Sequence, residues 1–305
     1  MIKKTVIIVG YECNNKCIFC IDSNKRALPA KSTADIVSEM VSARKRGTTY
    51  LEIIGGEETV RQDFLYLVST AKRLKFKDIV IATNGRMLAY RSFAEQVVKA
   101  GITGIIFSIH GHNEKLHDSL TRSKGSFKQL MKGIRNISDL GLKDIGSNTT
   151  IVKQNYRSLP KIGKFIDSLG ISNAEFIFVD PSCGEAKDNF NKIVPRLSAA
   201  APYIRKCLDI GKKNQARHWH IRYVPLCLFA EHQDQVSELY ESTVFNTEHL
   251  APDFRNFEVE KSRRQTGRIK PAKCKTCLKF DACEGVWLEY YKRFGDKELK
   301  PVMIK

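Results

Sequence analysis

The stretch "TVIIVGYECNNKCIFC", residues 5–20, joins an apolar segment directly to three cysteines. Residues 5–10 have the length and composition of a buried β-strand. Cys13, Cys17 and Cys20 follow with the spacing C-x3-C-x2-C. Three thiolates this close together can ligate three irons of a [4Fe–4S] cluster and leave the fourth iron open. A zinc ion with a distant fourth ligand is the alternative.

Short apolar segments continue to alternate with amphipathic ones as far as residue 180. The predicted strands are 5–10, 50–54, 78–83, 104–109, 147–152 and 174–179, and the predicted helices between them are 33–47, 62–75, 92–100, 126–140 and 158–169. Six βα units predict an α/β fold with a parallel sheet covered by helices, as a partial (β/α)6 TIM-like barrel. In such sheets the functional groups lie in the loops after the carboxyl ends of the strands.

The alternation breaks after residue 190. We predict a helix over 191–214, a short strand over 220–225, an irregular polar stretch to about residue 270, and a cysteine-rich end that becomes helical. The sequence therefore predicts two parts. Residues 1–190 form the partial barrel, and residues 191–305 form a small C-terminal region that binds a second metal group.

Composition limits the class of protein. The chain has 305 residues, and the sequence contains no apolar run of 18 residues that could span a membrane. The nine cysteines do not fit the disulfide framework of a short secreted protein, so they favour metal ligation in a cytoplasmic enzyme. The formal net charge of +18 is compatible with a nucleic acid partner and equally with a merely basic surface.

The cysteine loop resembles that of the radical S-adenosylmethionine (SAM) superfamily, because C-x3-C-x2-C follows a first strand and Phe19 precedes the last cysteine. The resemblance implies that the methionine part of SAM occupies the open iron. It also implies that one electron then cleaves SAM to a 5′-deoxyadenosyl radical, which requires a flavodoxin- or ferredoxin-type electron donor.

Residues at successive strand ends extend this resemblance. Gly55, Gly56 and Glu57 match the family's GGE-type motif, and Glu57 can accept hydrogen bonds from the SAM ammonium group. The other residues that the resemblance implies as SAM contacts are Phe19, Asn84, Ser108, His110, Arg122 and Asn148. Arg122 is the candidate for the SAM carboxylate. His110 departs from the family pattern, and a buried structural histidine is the alternative.

A second cysteine group lies near the C-terminus. Cys274, Cys277 and Cys283 have the spacing C-x2-C-x5-C, and Cys227 precedes them. They resemble a single-cluster auxiliary domain of the Twitch or SPASM-related kind, which implies a second [4Fe–4S] cluster, with zinc as the alternative. Cys183, after the sixth strand, is a candidate hydrogen-atom donor or an ordinary turn residue, whereas Cys207 is predicted to lie in the core.

These patterns predict an enzyme in which a SAM-derived radical abstracts a hydrogen atom from a substrate. The resemblance favours a ribosomally made peptide or protein as the substrate, with a nucleotide, an RNA or a small metabolite as alternatives. A non-catalytic protein that binds metal or nucleic acid is the alternative from another class. An open three-cysteine site argues against it, because structural metal sites are normally closed.

Overall fold

The structure is a computed structural model that describes residues 1–213 and 218–303. Its centre is a nine-stranded sheet with the order β7-β6-β5-β4-β3-β2-β1-β8-β9. The strands are β1 (Ile2–Ile8), β2 (Tyr50–Ile54), β3 (Asp78–Thr83), β4 (Gly104–Ser108), β5 (Asp144–Ile151), β6 (Asn173–Phe178), β7 (His218–Arg222), β8 (Phe245–Leu250) and β9 (Arg255–Asn256). Every neighbouring pair is parallel except β8 with β9. The sheet ends in two edges, as a partial barrel does, so the predicted α/β class is confirmed.

Helices connect consecutive strands of the parallel sheet, and two further helices follow β9. They are α1 (Thr33–Lys45), α2 (Phe64–Arg73), α3 (Arg91–Ala100), α4 (Glu114–Thr121), α5 (Ser126–Asp139), α6 (Leu159–Ser168), α7 (Gly184–Asp188), α8 (Phe190–Ile193), α9 (Leu197–Lys213), α10 (Glu241–Val244), α11 (Val259–Ser262) and α12 (Leu288–Phe294). Ser32 caps α1, and its hydroxyl accepts a hydrogen bond from the Asp35 amide at 3.1 Å. Buried side chains such as Ile36 and Met40 pack into one continuous apolar core.

The first half of the chain follows the predicted alternation closely. Strands β2 and β3 have the predicted bounds, and all six predicted strands are present. The helix predicted over 191–214 is shorter, because it is divided into α8 and α9, and residue 214 lies outside the described residues. Cys207, predicted to be a core residue, is fully buried in α9.

Residues beyond 190 add strands to both ends of the sheet. β7 pairs with β6, and β8 pairs with β1 in a register that matches Ile2 with Phe245. The Thr5 hydroxyl donates a 2.7 Å hydrogen bond to Glu248 across that pair. A further two-stranded sheet joins β10 (Arg268–Ile269) to β11 (Val286–Trp287). The division of the chain at residue 190 stays a prediction.

Among the described helices, none is both long enough and apolar enough to cross a membrane.

Candidate active site

The three N-terminal cysteines lie in the loop after β1 and line one cavity of about 340 Å³. The loop is held to the end of α4, where the amides of Lys16 and Ile18 donate 2.9 Å hydrogen bonds to backbone carbonyls. Burial raises the pKa of Cys13 to about 11 and that of Cys17 to about 12. A metal bound here must therefore displace protons from these thiols.

Gly56 shows why glycine follows β2. A Cβ atom built on Gly56 would lie 2.4 Å from the carbonyl oxygen of Tyr11 and 2.3 Å from that of Glu12. The Gly56 amide itself donates a 2.9 Å hydrogen bond to the Gly10 carbonyl. Glycine at position 56 therefore lets the backbone after β2 pack closely against the cysteine loop, and a side chain here would displace that loop.

Glu57 lines the cavity but is almost entirely buried, at 3% exposure. Its carboxylate accepts hydrogen bonds from the hydroxyls of Thr59 and Thr83 and from the backbone amide of Asn84, the last at 2.7 Å. Burial raises the pKa of Glu57, and these three donors oppose that rise. The carboxylate therefore joins the ends of β2 and β3, a role that the sequence pattern did not indicate.

Asn84 and Arg86 brace the cysteine loop from β3. The Asn84 side-chain amide donates a 2.7 Å hydrogen bond to the Asn14 side chain. The Arg86 guanidinium donates to the Asn14 carbonyl, to the Asn15 side chain at 2.9 Å and to Gln129 at 2.6 Å. Sequence reasoning missed Arg86, although it directly follows the "TNG" turn after a predicted strand.

The structure brings four further predicted residues to the cavity. Ser108 and Asn148 are register partners on β4 and β5, and both line it. Phe19 contacts His110 edge to face, with ring centroids 4.7 Å apart. Burial and the charge of His117 lower the pKa of His110 to about 3, so its imidazole is neutral. Nδ1 of His110 accepts a hydrogen bond from the Thr150 amide, so Nε2 carries the proton.

Two predicted residues lie away from this cavity. The Arg122 side chain is 49% exposed and pairs with Glu185 at 3.2 Å, and it does not line the cavity. Arg122 has a left-handed backbone conformation, with φ of 50°. Cys183 also lies outside the cavity lining, at the start of α7. The SAM contact of Arg122 and the hydrogen-donor role of Cys183 stay predictions.

Other cavity residues were not predicted. Asp180 lies two residues after the end of β6, so the rule of strand ends could have found it. Burial raises the pKa of the Asp180 carboxyl, whereas hydrogen bonds from Ser182 oppose this rise. Arg26 directly follows a 3₁₀ turn (Ser23–Lys25) between β1 and α1, and no sequence signal pointed to it.

A second, larger cavity of about 650 Å³ occupies the interior of the sheet. It meets the first cavity at Ile54 and Tyr223, which line both. Alternate residues of β6, β7 and β8 face it, as the two-residue period of a strand requires. They are Asn173, Glu175, His218, His220, Arg222, Phe245, Thr247 and His249. The two cavities together reach from the strand ends to the opposite side of the sheet.

The four C-terminal cysteines surround a third cavity. Cys227 lies in a 3₁₀ turn after β7, and Cys274, Cys277 and Cys283 come from the segment before β11. Backbone amides point at two of the sulfur atoms. Cys283 Sγ accepts from Gly285 at 3.3 Å, and Cys277 Sγ accepts from Val302 at 3.3 Å. The four cysteines that the sequence analysis grouped therefore lie around one cavity.

All nine cysteines are free thiols. Across residues 1–213 and 218–303, no group of three or more His, Cys, Asp or Glu side chains is close enough to hold a single metal ion. The donor chemistry nevertheless fits an iron–sulfur cluster, because both groups offer thiols and amide donors to sulfur, as at Asn15 and Cys13.

The cysteine loop and a ligand-sized cavity both lie at the strand ends of a parallel, barrel-like sheet. This arrangement is typical of enzymes that bind a cofactor at the strand ends. The family model described as "Radical SAM superfamily" matches residues 7–166, more than half of the chain. The chain belongs to the radical SAM superfamily. The family implies a [4Fe–4S] cluster and SAM. The prediction that the chain is an enzyme is confirmed.

Curated relatives share modest identity. The chain is 28% identical over 219 residues to a probable GTP 3′,8-cyclase from Saccharolobus solfataricus. This match covers 72% of this chain and 69% of that relative. A probable GTP 3′,8-cyclase from Methanococcus aeolicus is 27% identical over 237 residues and covers 73% of this chain and 76% of the relative.

Solved structures resemble the whole chain. Streptococcus suis SuiB bound to the precursor peptide SuiA has a TM-score of 0.70 at 18% identity and covers 96% of this chain and 73% of SuiB. Native anSMEcpe with bound AdoMet and the Kp18Cys peptide has a TM-score of 0.68 at 13% identity and covers 98% of this chain and 92% of that one. Likeness at this identity establishes the fold alone.

Proposed function

We propose that this radical SAM enzyme acts on a peptide. When bound, the cluster and SAM supply the 5′-deoxyadenosyl radical that abstracts a hydrogen atom from the substrate. The chain itself supplies two connected cavities. The upper one, at the strand ends, lies within the usual range of about 300–1,000 Å³ for small-ligand sites and is the place for SAM. The larger one within the sheet is the place for the substrate.

The observation that carries this proposal is the pairing of every cation that lines the larger cavity. Lys4 pairs with Glu52, and Arg222 pairs with Glu175 at 2.6 Å and with Glu241 at 2.8 Å. The third lining cation, Arg263, pairs with Glu241 and Glu284 at 3.2 and 3.0 Å. A triphosphate would have to break these pairs to be neutralised, whereas an uncharged peptide segment need not.

The remaining wall of this cavity also suits a peptide. Tyr50 and Phe245 make an edge-to-face contact, and His218 stacks on Tyr240 with ring centroids 5.5 Å apart. Burial lowers the pKa of His249 to about 4, although the charge of Glu52 opposes this fall, so the imidazole is neutral. Aromatic and neutral hydrogen-bonding groups bind backbone amides and uncharged side chains without a charge mismatch.

A nucleotide is the second candidate substrate. The curated relatives favour it, because both are named probable GTP 3′,8-cyclases. The peptide-bound structures of SuiB and anSMEcpe favour a peptide instead, and each of them covers nearly the whole chain. The paired cations of the larger cavity support the peptide rather than the nucleotide.

We also propose that Cys227, Cys274, Cys277 and Cys283 hold an auxiliary [4Fe–4S] cluster. These cysteines line one cavity with Leu226, and the Leu226 amide is 3.5 Å from Cys283 Sγ. Amide hydrogen bonds to sulfur and an apolar enclosure are features that set the potential of such clusters. With four thiolates the cluster would be closed, so its role is electron transfer or support of this segment.

The experiment offers the reduced holoenzyme and SAM to two substrates. One is the set of peptides encoded by short reading frames beside the gene, synthesised with deuterated side chains, and the other is GTP. We expect deuterium in the released 5′-deoxyadenosine and a mass change in one peptide, with GTP recovered intact. Conversion of GTP with every peptide unchanged would overturn the peptide assignment.

A matched variant controls this experiment. Replacement of Cys13, Cys17 and Cys20 by Ala removes the ligands of the SAM cluster, so no deuterium transfer should remain. Transfer that persists in this variant would show a source of label other than the proposed radical.

A further inference from the structure

The cavity assigned to SAM contains one cation. Of the residues that line it, Arg26 is the only lysine or arginine, and the carboxylates of Asp22, Glu57 and Asp180 line it as well. SAM carries a carboxylate together with an ammonium and a sulfonium group. The three acidic residues complement the two positive groups of SAM, and a single cation is left for its carboxylate.

Arg26 has no partner elsewhere in the described part of the chain. Its Nε is buried and has no hydrogen-bond partner, and within residues 1–213 and 218–303 the guanidinium forms no ion pair. The other arginine near the cysteine loop, Arg86, already donates hydrogen bonds to Asn14, Asn15 and Gln129. A buried, charged donor without a hydrogen-bond partner destabilises the free protein. A ligand that accepts a hydrogen bond from Arg26 removes this penalty.

Arg26 also lies close to the cysteines. Arg26 lines the same cavity of about 340 Å³ as Cys13, Cys17 and Cys20. The guanidinium is therefore on the wall of the cavity in which these cysteines would hold the cluster and SAM. Arg122, by contrast, is half exposed and already paired with Glu185.

We propose that Arg26, and not Arg122, binds the carboxylate of SAM in this enzyme. The planar guanidinium can donate two parallel hydrogen bonds to a carboxylate, which a lysine cannot do. The proposal rests on the SAM cofactor that the family implies. It is independent of the peptide substrate, so the failure of either proposal leaves the other intact.

The experiment measures the affinity of the anaerobic holoenzyme for SAM and for decarboxylated SAM by isothermal titration calorimetry. The Arg26→Gln variant should bind SAM roughly 10- to 100-fold more weakly, the usual effect of losing a charge-assisted hydrogen bond. Its affinity for decarboxylated SAM should match that of the wild type, because that compound lacks the group that Arg26 binds. The Arg122→Gln variant should bind both compounds as the wild type does.

Two results would overturn the proposal. One is an unchanged SAM affinity in Arg26→Gln, which would also follow if the guanidinium bound a substrate carboxylate. The other is an equal loss of affinity for both compounds, which would show that Arg26 supports the site without contacting the carboxylate.

Iron content is measured first for each variant, because Arg26→Gln could lose the cluster. In that case Arg26→Lys, which keeps the charge, provides the test. Its preference for SAM over decarboxylated SAM should fall below that of the wild type, and an undiminished preference would contradict the proposal. The shift that SAM causes in the electron paramagnetic resonance spectrum of the reduced cluster gives an independent readout. The shift should need more SAM in the variant.

Discussion

The backbone amide of Asn84 donates a 2.7 Å hydrogen bond to the Glu57 carboxylate, which ties the end of β3 to the end of β2. Both strand ends border the cavity that the cysteine loop closes. The position of that loop therefore depends on a carboxylate that is itself held by protein donors. Glu57 has a structural role in addition to any contact with SAM.

The first prediction concerns that role. The Glu57→Ala variant should lower the free energy of unfolding by about 2–4 kcal/mol, because it leaves the buried donors of Thr83 and Asn84 unpaired. Chemical denaturation of the metal-free protein measures this without any cofactor. Glu95→Ala is the matched control, since the Glu95 side chain is 52% exposed, and its effect should stay within about 0.5 kcal/mol. Equal effects of the two substitutions would contradict the structural role.

The second prediction concerns Glu58, which is 1% exposed and whose two carboxylate oxygens have no hydrogen-bond partner in the described chain. Burial, and then the charge of Glu57, raise the pKa of Glu58 well above its usual value. Because folding raises the pKa of Glu58, the stability that protonated Glu58 contributes is fully present below its unfolded-state pKa and is lost as pH rises through its folded-state pKa. Glu58→Gln should remove this loss and be more stable than the wild type at pH 8 by at least about 1 kcal/mol.

Thermal or urea unfolding from pH 5 to pH 9 tests the Glu58 prediction. The wild-type curve should fall with pH relative to the variant curve. Parallel curves would show that Glu58 does not titrate in this range.

The third prediction concerns the two cysteine groups. Anaerobic reconstitution should load about eight irons per chain, as two cubane clusters. Replacing Cys13, Cys17 and Cys20 by Ala should halve the iron and abolish the release of 5′-deoxyadenosine in the presence of dithionite and SAM. About four irons with tightly bound zinc would refute the auxiliary cluster and leave the first site standing.

The fourth prediction concerns Glu175, which pairs with Arg222 and lies 3.3 Å from Nε2 of His220 in the larger cavity. Its pKa is lowered in spite of burial, because Arg222 and His220 favour the ionised form. The stability from this pair is therefore present above the unfolded-state pKa of Glu175 and is lost as pH falls. Glu175→Gln should keep SAM cleavage within about twofold and lower substrate turnover by about 10-fold or more.

Asp234→Asn is the control for Glu175→Gln, because Asp234 belongs to the exposed ion pair with Lys212. It should leave both activities unchanged. Loss of SAM cleavage in Glu175→Gln to the same extent as turnover would argue against a separate substrate cavity.

The fifth prediction concerns Cys183, which lines neither of the two joined cavities. Because its thiol is not at the cavity wall, we expect Cys183→Ala to keep both clusters, SAM cleavage and full product formation. Product that stalls while SAM cleavage continues, in both Cys183→Ala and Cys183→Ser, would instead establish the hydrogen-donor role.

The sequence predicted the strands that consist of continuous apolar runs. β2 and β3 are short, apolar and bounded by turns, and their bounds were predicted to the residue. The cysteine loop was predictable because it follows such a run directly. β8 was missed, because "FNTEHL" is largely polar and becomes a strand only through its register with β1. The pairing partner is nearly the whole chain away, and no local pattern contains it.

The candidate site was predictable where residues follow strand ends. Glu57 and Asn84 were found in this way. Ser108, which ends β4, and Asn148, which lies within β5, came from the family resemblance, and the structure places them side by side. Arg122 lies outside the cavity lining, where its left-handed backbone ends α4 and its side chain pairs with Glu185, and its SAM contact stays a prediction. Arg26 was missed because the single 3₁₀ turn before it is too short to show a periodicity from which the direction of a side chain could be predicted.

The pairing of β8 with β1 has a consequence for how the protein is made. β1 is synthesised first but gains its second neighbour only when residues 245–250 have emerged from the ribosome. Until then the strand that leads into the cysteine loop presents an unpaired edge, which is a template for aggregation. Contacts of such long sequence separation slow folding. Metal loading before synthesis ends would thus act on a nascent chain whose cysteine loop is attached to a half-finished sheet.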